Sequence, residues 1–196
     1  VTGAATFTVA NGQSITLNSS GNNFQSAVTF LASSGTIANI TIVENSAFNF
    51  GGLTITGDLT ATVSGGAVTQ SGALVVPGTT TVSASGQNVT FSNVSNNFGT
   101  IGVTGANVTI KDTNAVVIAS STITGNLSVT ASGVITDSGN ISVDGSGKTA
   151  TFAAGSGNNI TLDSNGNDFK TLAVTSGNNV TIVDTDDIVL GASTIS

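Results

Sequence analysis

NNFGTIGVTGANVTIKDTNAVVIASSTITGNLSVTASGVITDSG, residues 96–139, carries phrases that occur elsewhere in the chain. Asn22-Asn23-Phe24 returns as Asn96-Asn97-Phe98 and again as Asn167-Asp168-Phe169. Ile40-Thr41-Ile42 returns as Val108-Thr109-Ile110 and as Val180-Thr181-Ile182. Thr54–Leu59 returns as Thr122–Leu127. The chain is therefore an array with a period of about 70 residues, a signal that outranks any local motif in deciding the fold.

Outward from this stretch, short runs rich in Val, Ile, Thr and Phe recur every few residues, separated by Gly, Asn, Ser and Asp. That is a strand-and-turn pattern, and nothing repeats at the 3.6-residue period of an amphipathic helix. Apolar residues alternate with Thr or Ser, as in Val108-Thr109-Ile110, so each strand has one buried and one wet face. Every third run, near residues 27, 53, 74, 100, 121, 141 and 171, predicts a coil with three strands per rung. Its turn is about 20–30 residues and the segment holds about eight rungs. In such a coil like residues stack on like, which gives a sequence a reason to repeat. The fold predicted is all-β: a right-handed parallel β-helix (solenoid), with Phe24, Phe98 and Phe169 in register once per three rungs. It is expected to be a single β-helical segment, 1–196, with repeat units at about 1–26 (partial), 27–99, 100–170 and 171–196 (partial). Gly191–Ser196 resembles Ala119–Thr124 and stops where Gly125 would follow, so the expectation is an internal piece of a longer protein.

Composition narrows the chemistry. Only 7% of the 196 residues are charged, 25 are Gly, and mean hydropathy is +0.34; disordered chains combine the opposite values. Cys, Met, Trp, Tyr, His and Arg are absent, which removes disulfides, thiolate and imidazole chemistry and His/Cys metal sites. The net charge is −7, with Lys111, Lys148 and Lys170 the only cations. A phosphate backbone needs a basic stripe and an anionic membrane surface a basic patch, so neither nucleic acid nor membrane surface is an expected partner. No run of 18 apolar residues exists to cross a bilayer as a helix.

Several features are candidate sites. Asp184, Asp186 and Asp187 form the one acidic cluster, a weak candidate for Ca²⁺, which takes several oxygen ligands. The plainer reading is a solvated turn, since the equivalent stretch Asp112-Thr113-Asn114-Ala115 keeps one carboxylate of three. Paired carboxylates could serve glycan hydrolysis, but the cationic and aromatic groups that grip a sugar are missing. No catalytic or cofactor-binding residue is assigned, and the chain is read as a non-enzyme. Thr-x-Thr pairs such as Thr60/Thr62 and Thr122/Thr124 would suit an ice-binding solenoid, yet Thr is also the common wet-face strand residue. Asn-x-Ser/Thr triplets begin at Asn18, Asn39, Asn88, Asn93, Asn107, Asn126, Asn140, Asn159 and Asn179. They fit a glycosylation acceptor but also arise wherever a corner Asn precedes a strand with Thr outward. Val117 and Val189 break the alternation in Val116-Val117-Ile118 and Ile188-Val189-Leu190. They are expected to point outward, as scattered surface valine or as a lateral stripe for side-by-side association.

The phrases TITGNLSVTASGVITDSG (122–139) and NNVTIVDTDDIVLGASTIS (178–196) resemble repeats of filamentous-haemagglutinin-type exoproteins, the large adhesins of bacterial two-partner secretion. The resemblance spans essentially the whole chain and rests on degenerate repeat phrases. It implies a right-handed β-helix, export to the bacterial surface or medium, and service as the stalk of an adhesin in attachment and biofilm. Partners, host or bacterial surface glycans and proteins, would then be met through other parts of the parent chain, and some relatives are glycosylated at Asn-x-Ser/Thr. The family's secretion domain and Asn-Pro-Asn-type motifs do not occur in this segment, and an autotransporter passenger would share the rod. The rival reading is a self-associating extracellular filament.

Overall fold

A computed structural model describes residues 2–143 and 145–196. It is a β-solenoid of about nine turns, built from 23 strands with no helix among the described residues. Every strand pairing is parallel. Ten strands form one sheet: Ala5–Val9, Val28–Ala32, Phe48–Phe50, Val68–Gln70, Val89–Phe91, Val108–Asp112, Leu127–Ala131, Ala150–Ala153, Thr171–Ser176 and Val189–Leu190. We call this the first stack. From the start of one of its strands to the start of the next is one turn of the coil, about 20 residues. Nine steps at the parallel-sheet spacing give a rod about 43 Å long.

The other 13 strands form a second sheet with two stacks. In the second stack Val116, Ile135, Ile160 and Val180 lie one above another. In the third, Val43, Thr62, Ser83, Thr104, Thr122, Ser142 and Asp168 do so. The long strands Leu74–Ser83 and Asn97–Gly105 run through the corner between these two stacks and fuse them into one sheet. Where the sequence predicts separate runs at 74–76 and 80–84, the chain is one strand across Pro77. At Gly99 a register shift accommodates the bend; a Cβ there would collide with the Pro77 carbonyl oxygen, so only glycine fits. The expected strand Ile141–Asp144 is seen as Ile141–Val143; Asp144 lies outside the described residues.

Alternation holds the rod together. Strand Leu59–Val63 reads buried, exposed, buried, exposed, buried, and the inward residues of all turns merge into one core. Phe7 packs on Phe24 at 5.8 Å, Phe91 on Phe98 at 5.8 Å and Phe152 on Phe169 at 6.1 Å between ring centroids. Offset and edge contacts of this kind add modestly to the burial of large apolar area. Corners are stitched by side-chain oxygens that accept a backbone N–H from the next turn. Asn88 accepts from Asn107, Asn107 from Asn126 and Asn126 from Thr149, each at 3.0 Å. Asn39 accepts from Asp58, and Asp58 from Thr79. These corner ladders give Asn39, Asn88, Asn107 and Asn126 a structural reason to precede an outward Ser or Thr.

The three stacks correct the expected register. The chain passes first, second and third stack in each turn. Val108–Ile110 lies in the first stack, whereas Ile40 heads a column that runs through Leu59, Thr80, Ile101 and Ile118 to Asp137, next to the column of Thr136 and Thr161 that leads to Thr181. From Ile40 to Val108 the chain completes three turns, 48 to 108, plus the part-turn from 40 to 48, close to half a turn. The next repeat does the same. Each repeat is thus about three and a half turns, and Phe98 is not in register with Phe24 and Phe169, which lie on one side: Val43, beside the Glu44 that holds Phe24, shares a column with Asp168. The predicted series 27, 53, 74, 100, 121, 141, 171 drifts across the stacks for this reason, and the turn predicted from it is too long.

Candidate functional site

The most elaborate polar feature is a corner clasp that recurs once per repeat. It follows the strands Ile15–Leu17, Val89–Phe91 and Ile160–Leu162; the first and third clasps share one side, where Val43 and Asp168 stand in one column, and the second lies on another. In each clasp the Asn-x-Phe segment of one turn meets a carboxylate of the next. The Phe24 N–H donates to Glu44 Oε1 and Oε2 at 3.1 and 3.2 Å. The Phe98 N–H donates to Asp112 Oδ2 at 2.7 Å, and the Phe169 N–H to Asp184 Oδ2 at 2.8 Å. The residue two beyond the carboxylate closes onto its other side: Ser46 N–H to Glu44 Oε1, Asn114 N–H to Asp112 Oδ1, Asp186 N–H to Asp184 Oδ1. The N–H of the residue one beyond donates to the Asn carbonyl: Asn45 to Asn22, Thr113 to Asn96, Thr185 to Asn167.

The asparagine completes it. Asn96 is fully buried. Its Oδ1 accepts from Leu74 N–H at 2.9 Å and Gln70 Nε2 at 2.7 Å. Its Nδ2 faces Gln70 Oε1, Phe91 O and Lys111 O. Asn22 Nδ2 reaches Leu17 O and Val43 O, and Asn167 donates to Asp137 Oδ2 while accepting from Ile141 N–H. Strand ends that turn inward leave N–H groups that must be paired, and a carboxylate accepts two of them without a counter-cation. Glu44 is fully buried and Asp112 nearly so. Burial pushes the Asp112 carboxyl above its ordinary value of 3.8, and the bonds from Phe98 and Asn114 pull it back part of the way.

These residues revise the sequence reading. Asp184 is the clasp carboxylate of its repeat and is committed to backbone N–H groups, while Asp186 and Asp187 are exposed. Among the described residues no three acidic side chains are grouped to hold a metal ion, so the Asp184, Asp186, Asp187 calcium candidate is not assembled. Asp112, in sequence a mere remnant of that cluster, is its better-buried equivalent. Glu44 escapes the sequence reading because its repeat spaces the pair differently: 20 residues separate Phe24 from Glu44, against 14 for Phe98 and Asp112. The signal available is an acid followed two residues later by Ser, Asn or Asp, downstream of each Asn-x-Phe.

Val117 and Val189 are placed apart. Val117 is half-buried in the second stack, between Thr100 and Thr136. Val189 is 57% exposed and pairs with Thr171 in the ten-stranded sheet. They lie in different sheets and form no common stripe. An apolar opening lined by Leu172, Val174, Val180, Ile182, Leu190 and Ile195 is the end of the core itself. Among the described residues no helix is long and apolar enough to cross a membrane.

Fold and clasp together define a repeat β-solenoid whose buried polar groups serve its own backbone. A family model described as repeats of unknown function (DUF5649) matches residues 1–31, 37–104 and 105–176; the chain belongs to this family. Two of its matched units begin at Ile37 and Gly105, which pair with Ile55 and Ile123 at equivalent points of the structure. No curated protein and no solved structure matches the chain.

Proposed function

We propose that the chain is a rigid shaft: a length of stalk in a secreted surface adhesin of the filamentous-haemagglutinin type, serving attachment and biofilm formation. The observation that carries this reading is the unbroken stacking of about nine turns in which polar side chains are spent on neighbouring turns. Each added repeat lengthens the rod by about 17 Å without a new domain boundary. An acidic surface rich in hydroxyls suits a rod that stands off a cell surface, because it repels anionic membranes and other copies. Receptor binding then belongs to parts of the parent protein beyond the array, or is spread weakly along it and multiplied by avidity. The resemblance of residues 122–139 and 178–196 to adhesin repeats supports the same reading.

The test replaces the array, within the full-length protein on its native cells, by an unrelated β-solenoid of equal length. Attachment preserved by the substitute and lost on simple deletion is the expected result. Attachment lost with both changes would move the binding function into the array and overturn the shaft reading.

A further inference from the structure

We propose that the rod carries, near its start, a docking slot for an extended, uncharged peptide segment of another protein, which adds as a short parallel strand to the free edge of Phe30–Ala32. The inference goes beyond the shaft reading and does not rest on it, because it follows from one lapse in the strand ladder.

In the ten-stranded sheet, strand Val28–Ala32 pairs along its whole length with Ala5–Val9 of the preceding turn. With Phe48–Phe50 of the following turn it makes one pair, Val28 with Phe50. Gly51 still donates to Val28 O, at a long 3.4 Å. Gly52, at φ +155°, then turns the chain away, a conformation open to glycine. Leu53 and Ile55 donate onward to Ala73 and Val75. Successive residues of a parallel strand send their N–H and C=O groups to opposite neighbours. Ser33 donates back to Val9, and Val28 accepts from the following turn. Phe30 and Ala32 therefore face the following turn as Val28 does, and there Gly51, Gly52 and Leu53 give them no hydrogen bond. The ladder resumes at Ile37 with Ile55, and the second sheet stays closed at this level, with Ile40–Glu44 paired to Leu59–Val63. The rod opens on one side only.

The cause lies in the sequence. Residues 32–36 fall between the matched repeat units, whereas 104 and 105 are contiguous. At the corresponding point of the next repeat Thr104 and Gly105 pair onward with Thr122 and Ile123. The extra loop is drawn toward the preceding turn, for Gly12 N–H donates to Thr36 O and Thr36 N–H to Asn11 Oδ1. What remains is a groove of about 440 Å³ whose walls include Phe30, Leu31, Ile37, Leu53, Thr36 and Thr54, with no charged residue among its lining. That volume is in the range of small-ligand sites, and Leu31 on its lip is 47% exposed. A free strand edge takes a further strand through main-chain bonds, and the side-chain spaces select its sequence. Here the edge continues a ladder already built on Ala5–Val9. Gly51 and Gly52 bring no side chain to the far wall, so an aliphatic residue of the guest fits over Phe30 while its neighbours face solvent. A charged guest would be desolvated against a neutral lining without compensation.

The probe is the peptide acetyl-Thr-Val-Thr-Val-Thr-amide, which has the rod's own alternation, and the readout is amide hydrogen exchange on the whole chain. In the free protein Phe30 and Ala32 should exchange faster than Thr29 and Leu31, whose groups face the paired preceding turn. The peptide should slow Phe30 and Ala32 by about tenfold, the factor that one hydrogen bond of ordinary worth implies, and leave Val103 unchanged. The same peptide N-methylated at its threonines keeps the side chains but loses the N–H groups that meet this edge, and should have no effect. Phe30 and Ala32 amides as slow as Thr29 and Leu31 in the free protein, no slowing by millimolar peptide, or equal slowing by the N-methylated peptide would each overturn the proposal. Protection that grows with protein concentration in the absence of peptide would give the slot to a second copy of the chain and overturn it as well.

Discussion

Replacing Asp112 by alanine asks whether the clasp closes the rod. The change removes the acceptor of the Phe98 N–H, at 2.7 Å, and of the Asn114 N–H, at 2.9 Å. Phe98 is fully buried, so its N–H is left without water; such a group costs about 1–3 kcal/mol. Asn114 is exposed, and its amide recovers a water partner at little cost. Against this, the variant no longer buries a carboxylate, a relief consistent with the raised pKa of Asp112. The net loss should be about 2 kcal/mol at neutral pH. Repeat arrays unfold by segments, so the assay is amide hydrogen exchange by residue. Exchange at Phe98 should rise by about 30-fold, the factor that such a loss implies. Phe24, in the clasp one repeat away, should stay unchanged. The pH dependence has a definite sign. A carboxyl whose folded pKa is raised binds more protons in the folded state than in the unfolded one between 3.8 and the raised value. Wild-type stability therefore falls relative to Asp112→Ala as pH rises through that window. An advantage of wild type that grows across the same window, or exchange at Phe98 that does not change, would refute the account of the clasp.

Asn96→Ala should destabilise more than Asp112→Ala, by about 3 kcal/mol or more, because Leu74 N–H, Gln70, Phe91 O and Lys111 O lose their partner together; urea unfolding followed by circular dichroism reads this. Asn96→Asp should be no rescue, since it keeps the acceptor but loses the donor and buries a charge. Thr80→Val should stabilise by about 1 kcal/mol: Thr80 is fully buried between Leu59 and Ile101, and its hydroxyl has no hydrogen-bond partner. A lowered unfolding midpoint would count against that placement. Gly99→Ala should cost about 2 kcal/mol or more, because the Pro77 carbonyl that its Cβ would strike is backbone. Near-wild-type stability would mean that the corner is looser than drawn.

Much of the fold is legible in particular residues. Val108-Thr109-Ile110 announces a strand with one wet face, and it is one. Asn88, Asn107 and Asn126 read as corners, and each accepts a bond from the next turn. The clasp is legible only in half. Asn-x-Phe stands out as a phrase, but its acid partner lies well downstream, at a distance that differs between repeats. Asp184 reads as a charge beside Asp186 and Asp187, because sequence places neighbours together and hides the Phe169 N–H that holds it.

By itself the sequence determined the strands, the inside and outside of each, the turn residues and the existence of a repeat of about 70 residues. All of these follow from local chemistry: alternation, glycine and asparagine at corners, and the recurrence of phrases. Only the tertiary structure decided the phase. The length of a turn is set by how much chain closes around a core of stacked Phe, Ile and Leu. The length of a repeat is not a whole multiple of it. Because the three sides share one alphabet of inward aliphatic and outward hydroxyl residues, nothing in Ile40-Thr41-Ile42 says which side it occupies. Closure around the core says so, and it sets Val108-Thr109-Ile110 on another side from Ile40-Thr41-Ile42.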